Sequence, residues 1–284
     1  MKKISIQGIK GSFHEDAARK YFGDDVEIVE CRTFRKVCEL LDRDEVNGAV
    51  MAIENSIAGS LLANYALLQD FHLHVVGEIY LHIQMNLMVY PGVKIEDIQE
   101  IHSHPIALRQ CSEYIDQHFG EIGLREKSDT AGAAQELARE KYKNVAAIGN
   151  QRSAEIYGLE VLERGIETNK KNYTRFFVLS KHNNPIAGTN KASISFQCGH
   201  YYGALAKVLT IFGDNKINLT KIQSIPIVGR PNEYSFHVDL EYDTEDNYER
   251  AIHLVLKNVS SLAIMGEYKK GDIELNKPQT SSNG

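Results

Sequence analysis

Residues 48–53, Gly-Ala-Val-Met-Ala-Ile, carry no charge and no hydroxyl, and they end abruptly in Glu54-Asn55-Ser56. A short, uniformly apolar run closed by polar residues predicts a strand buried on both faces. That is the place of an inner strand in a parallel sheet covered by helices. The flanking sequence agrees. Ile4-Ser5-Ile6 alternates and breaks at Gly8 and Gly11, and residues 13–22 follow with helical spacing, with Ser12 placed to cap them and Gly23 to stop them. Residues 26–29 read as a second strand and 34–41 as a second helix. The chain therefore begins as an α/β unit. In such sheets ligands bind outside the carboxyl ends of the strands, which makes Glu54 and Asn55 site candidates. The amide groups at the Ser12 helix start are suited to a carboxylate.

A second feature is Asn172-Tyr173-Thr174-Arg175-Phe176, followed by the apolar Phe177-Val178-Leu179. The apolar run predicts a short buried strand with the polar residues at its mouth. A guanidinium beside a hydroxyl donor suits a small anionic substrate. The net charge of −6, with no long basic run, argues against nucleic acid or an anionic membrane as the main partner. An anionic substrate would then be met by a local cluster.

The chain has 284 residues, enough for two domains, and 43% hydrophobic and 25% charged residues place it among ordinary globular proteins. No apolar run approaches membrane-spanning length, and the first residues enter a strand without the pattern of a signal peptide. The four cysteines, Cys31, Cys38, Cys111 and Cys198, have no metal-ligand spacing. The expectation is a cytoplasmic protein with reduced thiols, no metal and no cofactor.

Further along, residues 73–79 and 83–89 read as strands leading into a second lobe, about 80–155. Residues 98–102 predict a strand and 106–119 a helix, with Ser103 or His104 near its cap and Pro105 in its first turn. Gln110 lies seven residues after Ser103, on the same side of that helix. Ser128 to Ala134 is another capped start, rich in small residues. A strand at 144–149 and a helix at 152–157 closed by Gly158 complete the lobe. Several strand-to-helix starts thus converge on one cleft. After a linker at 183–191, residues 192–272 follow the order βαββαβ, a ferredoxin-like unit. Residues 273–284 have the composition of a disordered tail.

In order, the chain carries Gly11-Ser12-Phe13, Glu54-Asn55-Ser56 with Gly59-Ser60, Ser103-His104-Pro105 through Gln110-Cys111, Thr130-Ala131-Gly132-Ala133-Ala134, and Asn172 to Phe176. With these segments it resembles the prephenate dehydratases, with an ACT regulatory domain behind them. The resemblance implies a catalytic domain at 1–182 with two lobes of the periplasmic-binding-protein kind, usually in a homodimer or homotetramer. It also implies decarboxylating dehydration of prephenate to phenylpyruvate, in phenylalanine biosynthesis. By that resemblance Thr174 assists loss of the ring hydroxyl, with Glu54 and Asn55 beside it as catalytic groups. Arg175, Phe176, Ser103 and Gln110 place the substrate, Thr130 and Ala131 contact a carboxylate, and Ser12 is a further contact. Glu54 and His104 are alternative proton sources, ranked below Thr174.

In the family the second domain binds L-phenylalanine as an inhibitor. The matching positions are Gly203, Ala204 and Leu205, with Asn218 and Leu219 on the following strand. Two departures bear on that effector. Gln223-Ser224-Ile225-Pro226 stands where the family carries Glu-Ser-Arg-Pro, which removes both charges, and Tyr202 stands where a proline is common. Arogenate is a rival substrate, and a non-catalytic amino-acid-sensing protein is a rival of another class. A fused chorismate mutase would need a helical segment before the first strand.

Overall fold

The computed structural model describes residues 1–183, 186–227 and 229–273. The expected tail lies outside them except for Ile273, as do Asn184 and Pro185 of the expected linker.

The chain runs through β1 (Lys2–Gln7), α1 (Phe13–Phe22), β2 (Val26–Cys31), α2 (Phe34–Asp42), β3 (Gly48–Asn55), the two-residue β4 (Gly59–Ser60), α3 (Leu62–Asp70) and β5 (His74–His82). It then leaves for a second sheet: β6 (Asn86–Val89), β7 (Glu100–Ser103), α4 (Pro105–Gln110), α5 (Ser112–Phe119), β8 (Gly123–Glu126), α6 (Thr130–Glu140), β9 (Val145–Gly149), α7 (Gln151–Tyr157) and β10 (Glu160–Arg164). With β11 (Tyr173–Ser180) it returns to the first sheet, so the two lobes are joined by β5 and β11. The first sheet has the order β2-β1-β3-β11-β5, with β4 paired to β3, and the second the order β10-β6-β9-β7-β8. β1, β2 and β3 are parallel, while β11 lies antiparallel between β3 and β5. The second sheet takes in β10 and so runs past the expected lobe end near 155.

The third unit comprises β12 (Lys191–Gln197), α8 (Ala204–Asp214), β13 (Asn218–Pro226), β14 (Tyr234–Glu241), α9 (Glu245–Leu256) and β15 (Ser261–Tyr268). Its antiparallel sheet has the order β13-β14-β12-β15. This is the expected βαββαβ unit.

β3 is buried along its apolar run because both faces are covered. Val50 and Ala52 pack with Ile4, Ile6, Phe176 and Val178 against α1. Ala49, Met51 and Ile53 pack on the other face with Phe177, Leu179 and α3, and that core also includes Met265 and Tyr268 of the third unit. The third unit is thus docked directly on the back of the first sheet. The contact is close enough that a Cβ on Gly266 would lie 1.9 Å from the carbonyl oxygen of Val75.

Two helices differ from the sequence expectation. The single helix expected over 106–119 is two, meeting at Cys111. α3 was not expected at all. Its start at Leu61 has no side-chain cap, and apolar residues ring it, so it shows neither a start signal nor an amphipathic stripe.

Candidate active site between the lobes

A cavity of about 300 Å³ lies between the first two lobes. Ser12, Asn55, Gln110, Thr130, Thr174 and Phe176 line it, so six of the expected residues are brought together. It also draws in Gln7, His14, His104 and Asp129, with apolar walls that include Leu61, Ile83, Met85 and Ile106.

The centre of the polar wall is one rung of the first sheet. Thr174 on β11 pairs with Asn55 on β3, and Arg175 pairs with Glu54 on the next rung. Phe176 then pairs with Ala52, so Ile53 is an extra residue in β3, a β-bulge. The bulge has a clear consequence. Strict alternation would place Asn55 on the face of Ile53 and Met51, away from the cleft, and Glu54 on the cleft face with Ala52. The extra residue reverses that phase. Asn55 enters the cavity beside Ala52 and opposite Thr174, and Glu54 turns to the back.

The Asn55 side chain is held by five bonds, the longest from Nδ2 to the Tyr173 carbonyl at 3.4 Å. Its Oδ1 accepts the Ile57 and Ala58 N–H groups at 3.0 and 2.9 Å, which fixes the amide orientation. Its Nδ2 donates to Asn172 Oδ1 at 2.8 Å and to Thr174 Oγ1 at 3.0 Å. Thr174 Oγ1 is therefore an acceptor in this bond, and its own hydroxyl hydrogen remains available to a group in the cavity.

Arg175 is a correction to the sequence reading. It does not line the cavity, because β11 continues through Thr174, Arg175 and Phe176 and successive side chains alternate across the sheet. Its guanidinium is 4% exposed on the back face. There Nε donates to Glu78 at 2.7 Å, Nη1 pairs with Asp239 of the third unit, and Nη2 donates to the Tyr268 hydroxyl at 3.1 Å. Lys191 joins the same cluster through Glu78 at 2.9 Å. Glu54 is likewise turned back, paired with Lys221 at 3.0 Å.

Two further expected residues lie outside the lining. Ser103 is fully buried and donates to the Ile148 carbonyl at 2.7 Å, tying β7 to β9. Ala131 is fully buried inside α6. The N-terminus of α6 is capped by Asp129, whose Oδ1 accepts the Gly132 N–H at 2.6 Å. A carboxylate of the chain thus already occupies part of that helix start.

Ser12 is fixed from both lobes. Its Oγ accepts the Glu15 N–H as the cap of α1. The turn before it is seated on α7 of the second lobe, where Ser153 Oγ donates to the Gly11 carbonyl at 2.8 Å and Tyr157 donates to that of Lys10 at 2.7 Å. Gly11 has φ +88°, and a Cβ there would lie 3.1 Å from Ser153 Oγ, so glycine is required twice over. Asp16 bridges the lobes as well, bonded to Asn150 and Arg152.

His14 is the site residue that sequence reasoning missed. Its ring stands edge-on to Phe176, with centroids 5.1 Å apart. The Ala52 N–H donates to its Nε2 at 3.3 Å, which assigns the imidazole proton to Nδ1. Nδ1 has no hydrogen-bond partner among the described residues, and the residue lines the cavity. Burial lowers the pKa of His14 to about 4, so the ring is neutral at physiological pH. His104, the cap of α4, accepts the Ile106 N–H at Nδ1, and burial lowers its pKa as well.

No Lys or Arg stands among the residues lining this cavity. A bound anion would meet neutral donors: the Thr174 hydroxyl, the amides of Gln7 and Gln110, the two imidazoles and the start of α1. Arg109 stands in an adjoining recess that shares Ala58, Ile106 and Gln110 with the cavity. Among the described residues no group of three or more His, Cys, Asp or Glu is placed to hold a metal ion, and no helix is long and apolar enough to cross a membrane.

In the third unit, Ala204 and Leu205 line a separate cavity of about 470 Å³ with Cys198, Tyr201, Tyr202 and Phe236. Gly203 is the left-handed cap of α8, with φ 79°. Asn218 and Leu219 open β13 and are not in that lining. Of the departing residues, Ile225 packs against the core of the first lobe and Gln223 Nε2 donates to the Ser224 carbonyl.

Two α/β lobes that enclose a polar cleft, with a βαββαβ unit on the back of the first, place the chain in the two-lobed α/β class. The chain belongs to the prephenate dehydratase family, whose sequence model matches residues 4–184. It is 36% identical over 282 residues to the chloroplastic arogenate dehydratase/prephenate dehydratase 2 of Arabidopsis thaliana, covering 94% of this chain and 72% of that protein. The prephenate dehydratase of Arthrobacter aurescens, solved in complex with L-Phe, superimposes with a TM-score of 0.83 at 25% identity, over 94% of this chain and 90% of that one. A structure described as GqqA, a quorum-quenching acylase, superimposes with a TM-score of 0.87 at 28% identity, over 95% of this chain and 98% of that one.

Proposed function

We propose that the chain converts prephenate to phenylpyruvate, with Thr174 acting on the departing ring hydroxyl. The observation that carries this is the Asn55–Thr174 bond, in which Oγ1 accepts through one lone pair and leaves its hydrogen free to face the cavity. Breaking the bond between the ring and its carboxylate releases carbon dioxide, and the bonding electrons pass through the ring and expel the hydroxyl group on the opposite carbon. The departing oxygen takes up one proton and leaves as water, and the ring becomes aromatic. Thr174 donates a hydrogen bond to that oxygen as charge develops on it. A threonine hydroxyl is too weak an acid to yield its proton at equilibrium, so the proton comes ultimately from solvent.

Neutral donors fit this reaction. A cation held against the departing carboxylate would stabilise the charge that decarboxylation must dissipate. Apolar walls and neutral N–H groups orient the carboxylate without that penalty. Orientation of this kind lowers a barrier by about 7 kcal/mol in favourable systems.

The test is phenylpyruvate formation by the purified full chain and by Thr174→Ala. The expected loss in kcat is about 10² to 10³-fold with a smaller change in KM, as for removal of one donor aimed at developing negative charge. Near-normal turnover would remove Thr174 from the mechanism. Arogenate is the second substrate to assay, because the plant relative is named for both activities. A ratio of kcat/KM on the two compounds decides between them.

The third unit is read as an ACT-type regulatory domain that responds to L-phenylalanine. The L-Phe carried by the Arthrobacter aurescens structure supports this. The loss of both charges at Gln223 and Ile225 makes the strength of inhibition the quantity to measure. A homo-oligomer follows from the same reading.

A further inference from the structure

The hairpin that carries Asn55 is fastened from outside the catalytic lobes. β3 and β4 pair through Glu54 with Ser60 and Asn55 with Gly59, so residues 54–60 form a small closed loop. The N–H groups that orient Asn55, those of Ile57 and Ala58, belong to this loop. Lys221 of the third unit reaches its two ends at once. Its Nζ is 3.0 Å from Glu54 Oε2 and donates to Ser60 Oγ at 2.7 Å. The lysine side chain is 7% exposed, and its ammonium lies over the Tyr65 ring at 5.6 Å. The neighbouring strand is held in the same way. Asp239 of the third unit pairs with Arg175, which is next to Thr174 in the chain and opposite Glu54 across the sheet.

Both residues that line the cavity on this rung are thus preceded or followed by a charged residue gripped by the third unit. The bond between Asn55 and Thr174 depends on the relative placement of two strands at a bulge. A displacement of about 1 Å in such a site can cost up to 10²-fold in rate. Resting on the reading of Thr174 given above, we propose that Lys221, seconded by Asp239, is a positioning residue for the dehydration. It acts through Glu54 and Ser60 to hold Asn55, and through Asn55 the Thr174 hydroxyl, in register. The third unit is then a structural part of the active site.

The experiment uses the full chain. Steady-state turnover of prephenate is measured for Lys221→Met, Lys221→Arg, Glu54→Gln, Ser60→Ala and the double variant Lys221→Met/Glu54→Gln, alongside urea unfolding of each. The expected result for Lys221→Met is a loss of about 10-fold in kcat with KM within about 2-fold, in the range found for residues coupled to a site they do not touch. Lys221→Arg recovers most of it. The double variant falls no further than the worse single one, since both break one link. Unchanged kcat in a folded Lys221→Met protein would overturn the proposal. Were that variant not to fold, unchanged kcat in both Glu54→Gln and Ser60→Ala would overturn it equally. Thr174→Ala separates the two failures. If it keeps turnover, the reading of the site is wrong; if it loses turnover while the Lys221 variants keep it, only the positioning role fails.

Discussion

Thr174 and Arg175 are neighbours in the chain and face opposite sides of one strand. Thr174 looks into the cleft between the lobes, and Arg175 is sealed against Glu78, Asp239 and Tyr268 on the back of the sheet. A charged group in that position contributes to structure in a way a substrate contact would not. Removing one member of a buried ion-paired cluster leaves the others uncompensated and typically costs about 3–5 kcal/mol. Arg175→Met should therefore lower unfolding stability by that order, read as a shift of the urea midpoint. An unchanged midpoint with a large rise in KM would restore Arg175 to the substrate site.

Asn172 offers a milder perturbation of the same machinery. It is fully buried, and its Oδ1 receives one of the two Nδ2 hydrogens of Asn55. The other hydrogen goes to Thr174. Asn172→Ala takes away the acceptor without touching the cavity, so the amide of Asn55 is left with an unmet donor and a looser orientation. The expected outcome is a fall in kcat of about 10-fold, corresponding to one net hydrogen bond of about 1–1.5 kcal/mol. KM should change little. A rise in KM at constant kcat would mean that Asn172 serves binding instead.

Which parts of this site were legible in the sequence follows a physical line. The apolar inner strand, the Ser12 cap before α1 and Gly158 after α7 are local signals, and the structure carries each where expected. Cleft residues from five separate segments converge because strand ends and helix starts of α/β lobes face one crevice. What failed was facing. Glu54 was expected in the cleft with Asn55 because both stand at the carboxyl end of an inner strand, and the bulge at Ile53 that decides which of the two faces the cleft cannot be read from side-chain pattern alone. Arg175 was expected at a strand mouth because β11 seemed to begin at Phe177; the strand begins at Tyr173, and alternation then sends the guanidinium backwards. His14 was invisible for a different reason. A histidine in the first turn of an amphipathic helix has no spacing that marks it, and its role appears only when Ala52 and Phe176 arrive from other strands.

His14 carries its own prediction. Phe176 and Thr174 are two residues apart on one strand face, roughly 6–7 Å. His14 lines the same cavity as Thr174, with its ring against Phe176 and its Nε2 held by the Ala52 N–H. Its Nδ1–H is the group expected to donate to a substrate carboxylate. A hydrogen bond to a charged group contributes about 1.5–3 kcal/mol. His14→Phe, which keeps an aromatic ring against Phe176, should lower kcat/KM on prephenate by roughly 10-fold or more. Equal kcat/KM in the two proteins would confine His14 to packing.

The acid sensitivity of the fold has a specific source in the third unit. His237 on β14 is 2% exposed, lies edge-on to the Tyr65 ring with centroids 5.1 Å apart, and neither of its ring nitrogens has a hydrogen-bond partner among the described residues. Burial lowers its pKa from 6.5 to about 4, partly opposed by Asp239. Above pH 6.5 the imidazole is neutral in both folded and unfolded chains and stability is independent of it. Between 6.5 and about 4 the unfolded chain binds a proton that the folded chain refuses, so stability falls by up to about 1.4 kcal/mol per pH unit, some 3 kcal/mol in all. Below about 4 the loss levels off. His14 adds a contribution of the same sign over the same window. His237→Phe removes this term and also removes two unpaired polar atoms from the interface of β14 with α3. Unfolding by urea at pH 7 and at pH 5 should show the variant more stable than the parent at both, by about 1–2 kcal/mol at pH 7 from relief of the buried unpaired polar ring. The margin should widen at pH 5. A margin that stays constant between the two pH values would mean that His237 takes up its proton in the folded chain as readily as in the unfolded one, with Tyr65 and Asp239 making room for the charge.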